Sequence, residues 1–379
     1  MDFNLNKDLE FMKKAIHDFA IAEIAPIASE LDRNPRYPWE TLKKMGELGL
    51  LGILTPEKYG GSGLDMMSYA VFLEEISAAD AAHGTIMSVT NGLPQSLILD
   101  YGNNLQKDKY LPKLATGEWI GAFCLTEAHC GSDAAALKTT ATKTDGGYIL
   151  NGEKAWITSG SEAQVYLVLA KTNPNAGAKG ISCFIVEKDF ENLSFGKPEE
   201  KMGQHAATTT TMNLENCFVP DSALLGQEGK GFIYAMSSLD SGRIGIAAQA
   251  LGIARASLEF AQNYAAERTA FGKPIKDFQG ISFKLADMAL QLEAARLLTH
   301  KAAWLKDQHK PVTQAASMAK LFASETATKI SHAAVQILGG YGYSKDYPVE
   351  RYYRDARVTE IYEGSSEIQR LVIARELYK

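Results

Sequence analysis

Residues 137–160, LKTTATKTDGGYILNGEKAWITSG, decide the fold. The stretch alternates, carries many β-branched side chains, and sets Asp145-Gly146-Gly147 where a hairpin must reverse. AQVYLVLAKT (163–172), GISCFIVEK (180–188) and TTTTMNLENCFVP (208–220) continue the pattern. Together they predict a β domain over 120–230, an antiparallel barrel or sandwich with frequent turns.

On both sides the periodicity is helical. Upstream, apolar residues fall at Leu9, Met12, Ile16, Phe19, Ile24, Ile27 and Leu31, in steps of mostly three and four. NPRYP (34–38) interrupts them, because proline removes a donor and restricts its predecessor. YGGSG (59–63) is a loop, and GTIMSVTNGLPQSLILDYG (84–102) is apolar enough to be buried. Downstream of GQEGKGF (226–232), three long segments repeat at helical spacing: 245–268, 281–308 and 313–340. With the C-terminal run they predict a four-helix bundle. The chain therefore reads as α+β: an N-terminal helical domain (1–119), a central antiparallel β-barrel domain (120–230) and a C-terminal four-helix bundle (231–379).

Composition restricts function. The chain has 379 residues, 46% of them apolar and 22% charged, with a net charge of −6 and both signs interspersed. That balance argues against nucleic acid or an anionic membrane surface as the main partner. The four cysteines form no CxxC pair, so a reducing cytoplasm is the expected location. The N-terminus is charged throughout and shows no signal peptide, and no apolar run reads as a membrane span. There is no HExxH, EF-hand, P-loop or GxSxG pattern, and no dinucleotide fingerprint after a strand. No metal is expected, and any dinucleotide is held without a Rossmann unit.

Five stretches carry candidate chemistry. FCLTEAHCGSD (123–133) lies at a domain junction, dense in hydroxyls and acids, although a plain loop with local caps reads the same way. In LNGEKAWITSG (150–160), Trp156 and Thr158 share one strand face; they suit a planar cofactor, or Trp156 is simply core. ERTAFGKPI (267–275) sets Arg268 and Phe271 at a helix end. QILGGYGY (336–343) ends a helix on paired glycines, as a C-cap would. YEGSSEIQR (362–370) places Glu363 between an aromatic ring and a glycine. In addition, Arg243 in LDSGRIG (239–245) can meet a phosphate or a surface acid.

In this order and spacing, the five stretches make the chain resemble the acyl-CoA dehydrogenase family of flavoproteins over nearly its full length. The short-chain, butyryl-CoA members are nearest. The resemblance implies FAD, acyl-CoA as substrate, electron-transfer flavoprotein as electron acceptor, and a homotetramer built as a dimer of dimers. It implies that Phe123, Leu125, Thr126, Trp156 and Thr158 line the flavin ring, with Ser132 near both flavin and substrate. It implies that Arg268, Phe271, Gln279, Gln336, Gly339 and Gly340 hold the FAD pyrophosphate and adenosine, largely from a neighbouring subunit, with Ser365 and Glu367 completing that contact. Asp240 and Arg243 would meet the CoA, and Tyr362 and Gly364 the substrate. Two positions depart from the family pattern. Ala128-His129-Cys130 stands where a proline-glycine-alanine trio is common, and Ser365 stands where threonine is frequent.

The implied reaction is α,β-dehydrogenation of a short-chain acyl-CoA to the trans-2-enoyl-CoA. A thioester α proton is weakly acidic, so the base must be placed well and the carbonyl polarised. Glu363 is the implied base, and an apolar pocket would raise its pKa, each unit being worth about 1.4 kcal/mol. Hydride passes to FAD, since no side chain accepts it. Some relatives carry the base on the bundle helix just before the arginine; here that position is Gly242. A branched short-chain dehydrogenase, an oxidase, and a non-catalytic FAD- and acyl-CoA-binding member remain as alternatives.

Overall fold

The computed structural model describes residues 5–378. The N-terminal layer contains α1 (Lys7–Phe19), α2 (Ala25–Arg33), α3 (Trp39–Glu47), α4 (Met66–Ala79), α5 (Ala81–Thr90), α6 (Ser96–Tyr101) and α7 (Asn104–Ala115). Asn6 caps α1 by accepting from Leu9 N at 2.8 Å, and Asn103 with Gln106 forms a reciprocal capping box on α7. Asn91–Gln95 widens into a π-helical turn around Pro94. Proline cannot donate to the carbonyl four residues back. Gln95 Nε2 donates to that carbonyl, Thr90 O, at 3.0 Å. Pro94 packs so closely on Gly121 that a β-carbon there would lie 2.8 Å away, so the turn sets where the first strand begins.

The strands are β1 (Gly121–Cys124), β2 (Thr140–Thr144), β3 (Gly147–Thr158), β4 (Val165–Lys171), β5 (Ile181–Glu187), β6 (Leu193–Phe195), β7 (Thr209–Pro220) and β8 (Leu224–Leu225). Their order is β6-β7-β3-β2-β4-β5-β8, with β1 parallel to β4. The expected barrel is corrected here: the sheet is open, with β6 and β8 at its edges. β2 meets β4 through a single parallel pair, Thr140 with Lys171. The physical reason lies in β4. Tyr166, Val168 and Ala170 face one core, and Val165, Leu167 and Leu169 face the other. A strand buried on both faces belongs between two layers, not in a barrel wall that alternates inside and outside.

The C-terminal part begins with α8 (Gly231–Glu267), followed by the short hairpin of β9 (Thr269–Ala270) and β10 (Lys273–Pro274). Then come α9 (Gln279–Asp307), α10 (Thr313–Leu338), α11 (Val349–Arg357) and α12 (Ser366–Glu376). α8 packs along α10, α9 and also α4, so the bundle borrows a helix from the N-terminal layer. The sequence reading found no membrane-length apolar run, but α8 is long and apolar enough for one. In its most apolar window, 78% of the residues are buried inside the fold, so these side chains are core.

Candidate active site

Glu363 sits between α11 and α12 in the left-handed region, φ 51°, and Gly364 follows at φ 93°. Two such residues in succession make a sharp turn that costs an ordinary residue about 1 kcal/mol or more. The carbonyls of this turn are held. Gln369 Nε2 donates to Glu363 O at 3.2 Å and to Gly364 O at 2.9 Å. Lys320 Nζ, from α10, donates to Gly364 O at 2.7 Å. The carboxylate is aimed at α8, and its Oε2 is sealed from solvent with no hydrogen-bond partner. Burial raises its pKa to about 7, offset in part by the charges of Lys320 and Arg243. A carboxyl group poised near neutrality and unpartnered is suited to take a proton.

The surroundings come from several elements. Arg243 is buried; its Nη1 donates to Asp240 Oδ1 at 2.6 Å, and Asp240 Oδ2 accepts from Thr313 Oγ1 at 2.7 Å. Arg243 Nε has no partner. The Tyr362 hydroxyl donates to Gln249 Oε1. Gln249 Nε2 donates to Thr85 Oγ1 at 2.6 Å, and Thr85 bonds Gln204, whose Nε2 donates to Asp355 O at 3.0 Å. Beside the carboxylate, the Tyr69 hydroxyl donates to Ser88 Oγ at 3.2 Å, against the face of α8 that carries Gly245.

A second group of predicted residues lies at the end of β1 and on β3. Phe123, Thr126 and Thr158 are half-buried and Leu125 is buried. Trp156 is 61% exposed at φ 59°, swung out by a bulge between Lys154 and Ile157. A large indole held in water by a strained backbone, beside half-buried hydroxyls, fits the face of a planar cofactor. Behind this face Lys154 is wholly buried. It donates to Glu127 Oε1 at 2.8 Å and to Leu125 O at 3.2 Å. Glu127 also accepts from Lys138 N at 2.6 Å and Thr139 N at 2.9 Å. Burial would raise the Glu127 pKa, but Lys154 and these donors hold it down at about 2. Glu127, His129 and Cys130 place possible ligand atoms within 4.8 Å of one another, but that carboxylate is already engaged. Ser132 is exposed on the loop beyond.

The chain matches the N-terminal domain of acyl-CoA dehydrogenase over residues 6–118, the middle domain over 122–217 and the C-terminal domain over 229–378. This chain belongs to the acyl-CoA dehydrogenase family. It is 52% identical over 370 residues to the short-chain specific acyl-CoA dehydrogenase of Mus musculus, a mitochondrial protein, covering 98% of this chain and 90% of that one. The structure of butyryl-CoA dehydrogenase from Megasphaera elsdenii superposes with a TM-score of 0.98 at 45% identity, over the whole of both chains. A chain solved in work on the electron transferring flavoprotein of Acidaminococcus fermentans gives 0.99 at 47%, again over the whole of both.

Of the remaining predicted residues, the structure brings three together, Arg268, Gly339 and Gly340. Arg268 lies 5.7 Å over the Tyr341 ring, and Arg268, Gly339 and Gly340 line a surface groove of about 600 Å³ with Tyr264, Ile275 and Asp346. Phe271 is 95% exposed at the hairpin tip, Gln279 opens α9, and Gln336 is exposed on the last turn of α10. Ser365 precedes α12; its hydroxyl and the Glu367 backbone N–H hold the exposed Glu367 carboxylate below its usual range, the N–H more strongly. The sequence reading passed over Lys320, Lys154, Glu127 and Gln249. Lys320 was findable, since a lysine falls on the otherwise alanine stripe of 316, 323 and 327. Lys154 was findable as an inward position on β3.

Proposed function

We propose that this protein catalyses FAD-dependent α,β-dehydrogenation of a short-chain acyl-CoA. The observation that carries the reading is Glu363: a carboxylate with one sealed, unpartnered oxygen, on a fixed turn, facing a glycine of the opposing helix. Full-length similarity to short-chain specific dehydrogenases supports the substrate class.

Glu363 takes the α proton. Its raised pKa places the group near equal occupancy at neutral pH, where a base can both accept and later release a proton. The Glu363 backbone N–H would polarise the thioester carbonyl, a donor worth about 3 kcal/mol to a transition state. Arg243, buried and with one N–H unsatisfied, would meet the CoA portion with Asp240. Phe123, Leu125, Thr126, Trp156 and Thr158 would hold the flavin ring; Arg268, Phe271, Gln279, Gln336, Gly339 and Gly340 would hold the rest of a FAD bound across a subunit boundary. The flavin, when bound, supplies the hydride acceptor that the side chains lack.

A homotetramer is part of the reading. Phe283, Leu290, Leu297 and Trp304 are exposed on α9 at intervals of seven, a stripe that suits helix-to-helix burial. Electron-transfer flavoprotein as acceptor rests on the similarity to the Acidaminococcus chain. The four free, buried cysteines suit the cytoplasm. Anaerobic addition of butyryl-CoA should bleach the visible flavin absorbance at one equivalent per subunit. Spectra unchanged by butyryl-, hexanoyl- and isobutyryl-CoA would overturn the assignment.

A further inference from the structure

Lysine is almost never fully buried without a partner, because removing an ammonium from water is costly. Lys320 has no exposed surface. Among the described residues it forms no salt bridge to a carboxylate, and its hydrogen bond goes to Gly364 O at 2.7 Å. We propose that Lys320 is a positioning residue for Glu363: its ammonium pins the turn that carries the base and sets a positive charge near the carboxylate without pairing to it. The inference rests on Glu363 being the base.

The geometry separates two jobs. Gly364 O is held from two helices, by Lys320 of α10 and by Gln369 of α12, which also holds Glu363 O. The left-handed pair at 363 and 364 is therefore fixed from both sides. The second job is electrostatic. Lys320 and, from α8, Arg243 act on Glu363, and the hydroxyls of Tyr69 on α4 and Tyr362 stand nearby. Arg243 is already matched by Asp240. Lys320 itself feels Glu363, Glu360, Glu367 and Arg243; of these, Glu360 is paired to Arg357 at 2.6 Å. The ammonium therefore acts mainly on the base. Its own pKa is lowered by burial to about 8, so it remains mostly charged at neutral pH.

The test uses flavin-loaded enzyme and an α-deuterated acyl-CoA with sulfur in place of the β carbon. This compound has no β C–H to give up, so loss of α-deuterium, read by NMR across pH 5 to 9, reports proton abstraction alone. In the wild type, exchange should rise through about pH 7. Removing the ammonium in Lys320→Met destabilises the carboxylate, so the rise should move up by about one pH unit and exchange at pH 6 should fall about tenfold. Lys320→Gln keeps a donor without the charge: the same displacement is expected, with a higher plateau than Lys320→Met. Glu363→Gln should abolish exchange. If it does not, the base assignment fails and this inference with it. If Glu363→Gln is inert while either lysine variant keeps the wild-type profile and plateau, the role of Lys320 is overturned. Should Lys320→Met fail to fold, Lys320→Gln decides by the position of its rise.

Discussion

A β-carbon on Gly242 would lie 2.0 Å from Oε2 of Glu363. The base therefore occupies the space that any larger residue at 242 would fill. Gly242→Ala should leave the fold intact and favour α8 by up to about 1 kcal/mol, since alanine is the better helix former. It should also push the carboxylate aside. A displacement of about 1 Å costs on the order of a hundredfold in rate. Melting temperature and turnover of butyryl-CoA check both halves, and an alanine variant at wild-type turnover would show that the carboxylate does not work from this position.

Glu363 also sets a pH dependence of stability. Its pKa is about 7 in the folded chain against 4.5 for the free side chain. Between these values the native state binds the proton more strongly than the unfolded state, so stability from this group falls as pH rises and the loss is complete above about 7. The deficit is on the order of 3 kcal/mol. Glu363→Gln should remove it. Denaturant titration of the flavin-free protein should find the variant more stable than the wild type at pH 8, with the gap closing at pH 5. An equal gap at both values would mean that the carboxyl group does not titrate in this window.

Lys154 ties Leu125 and Glu127 to the strand that presents Trp156. Removing one partner of a buried ion pair leaves the other charge uncompensated and costs about 3–5 kcal/mol. Lys154→Met should lower the melting temperature and loosen the flavin face. Gel filtration followed by absorbance should show fewer flavins per subunit than in the wild type. Full flavin retention with unchanged melting would remove Lys154 from the architecture of the cofactor face.

The exposed heptad stripe on α9 gives a separate test. Leu290→Glu places a charge in the middle of it. Sedimentation should show smaller assemblies than for the wild type. Because Phe271 and the Arg268 groove are expected to serve a neighbouring subunit, flavin should be lost as well. A variant that sediments as the wild type does would move the interface elsewhere.

Much of this was legible because helical and strand periodicities differ, and because the five motifs keep their order. The sheet's closure was not legible. VYLVLA reads as a strand in a barrel or in an open sheet, and only the layers on both of its faces distinguish them. Glu363 could be read from its motif. That Lys320 meets this turn could not: the lysine stands out on its alanine stripe, but it reaches Gly364 O through space from α10, and a helix's local pattern records only burial. Gly242 was readable as a missing base, but its steric role depends on where residue 363 arrives. The bulge that turns Trp156 outward was hidden too, because an extra residue in one strand leaves no mark in the alternation of the other.

The hydroxyl of Tyr362, next to the base, ends a run of side chains through Gln249, Thr85 and Gln204 to Asp355. These groups belong to α8, α5, the link between β6 and β7, and α11. The reactive corner is thus anchored in all three parts of the molecule, and none of them can loosen alone without disturbing it. On heating, catalysis and structure should fail together in a single step, with no temperature range where an intact fold is idle.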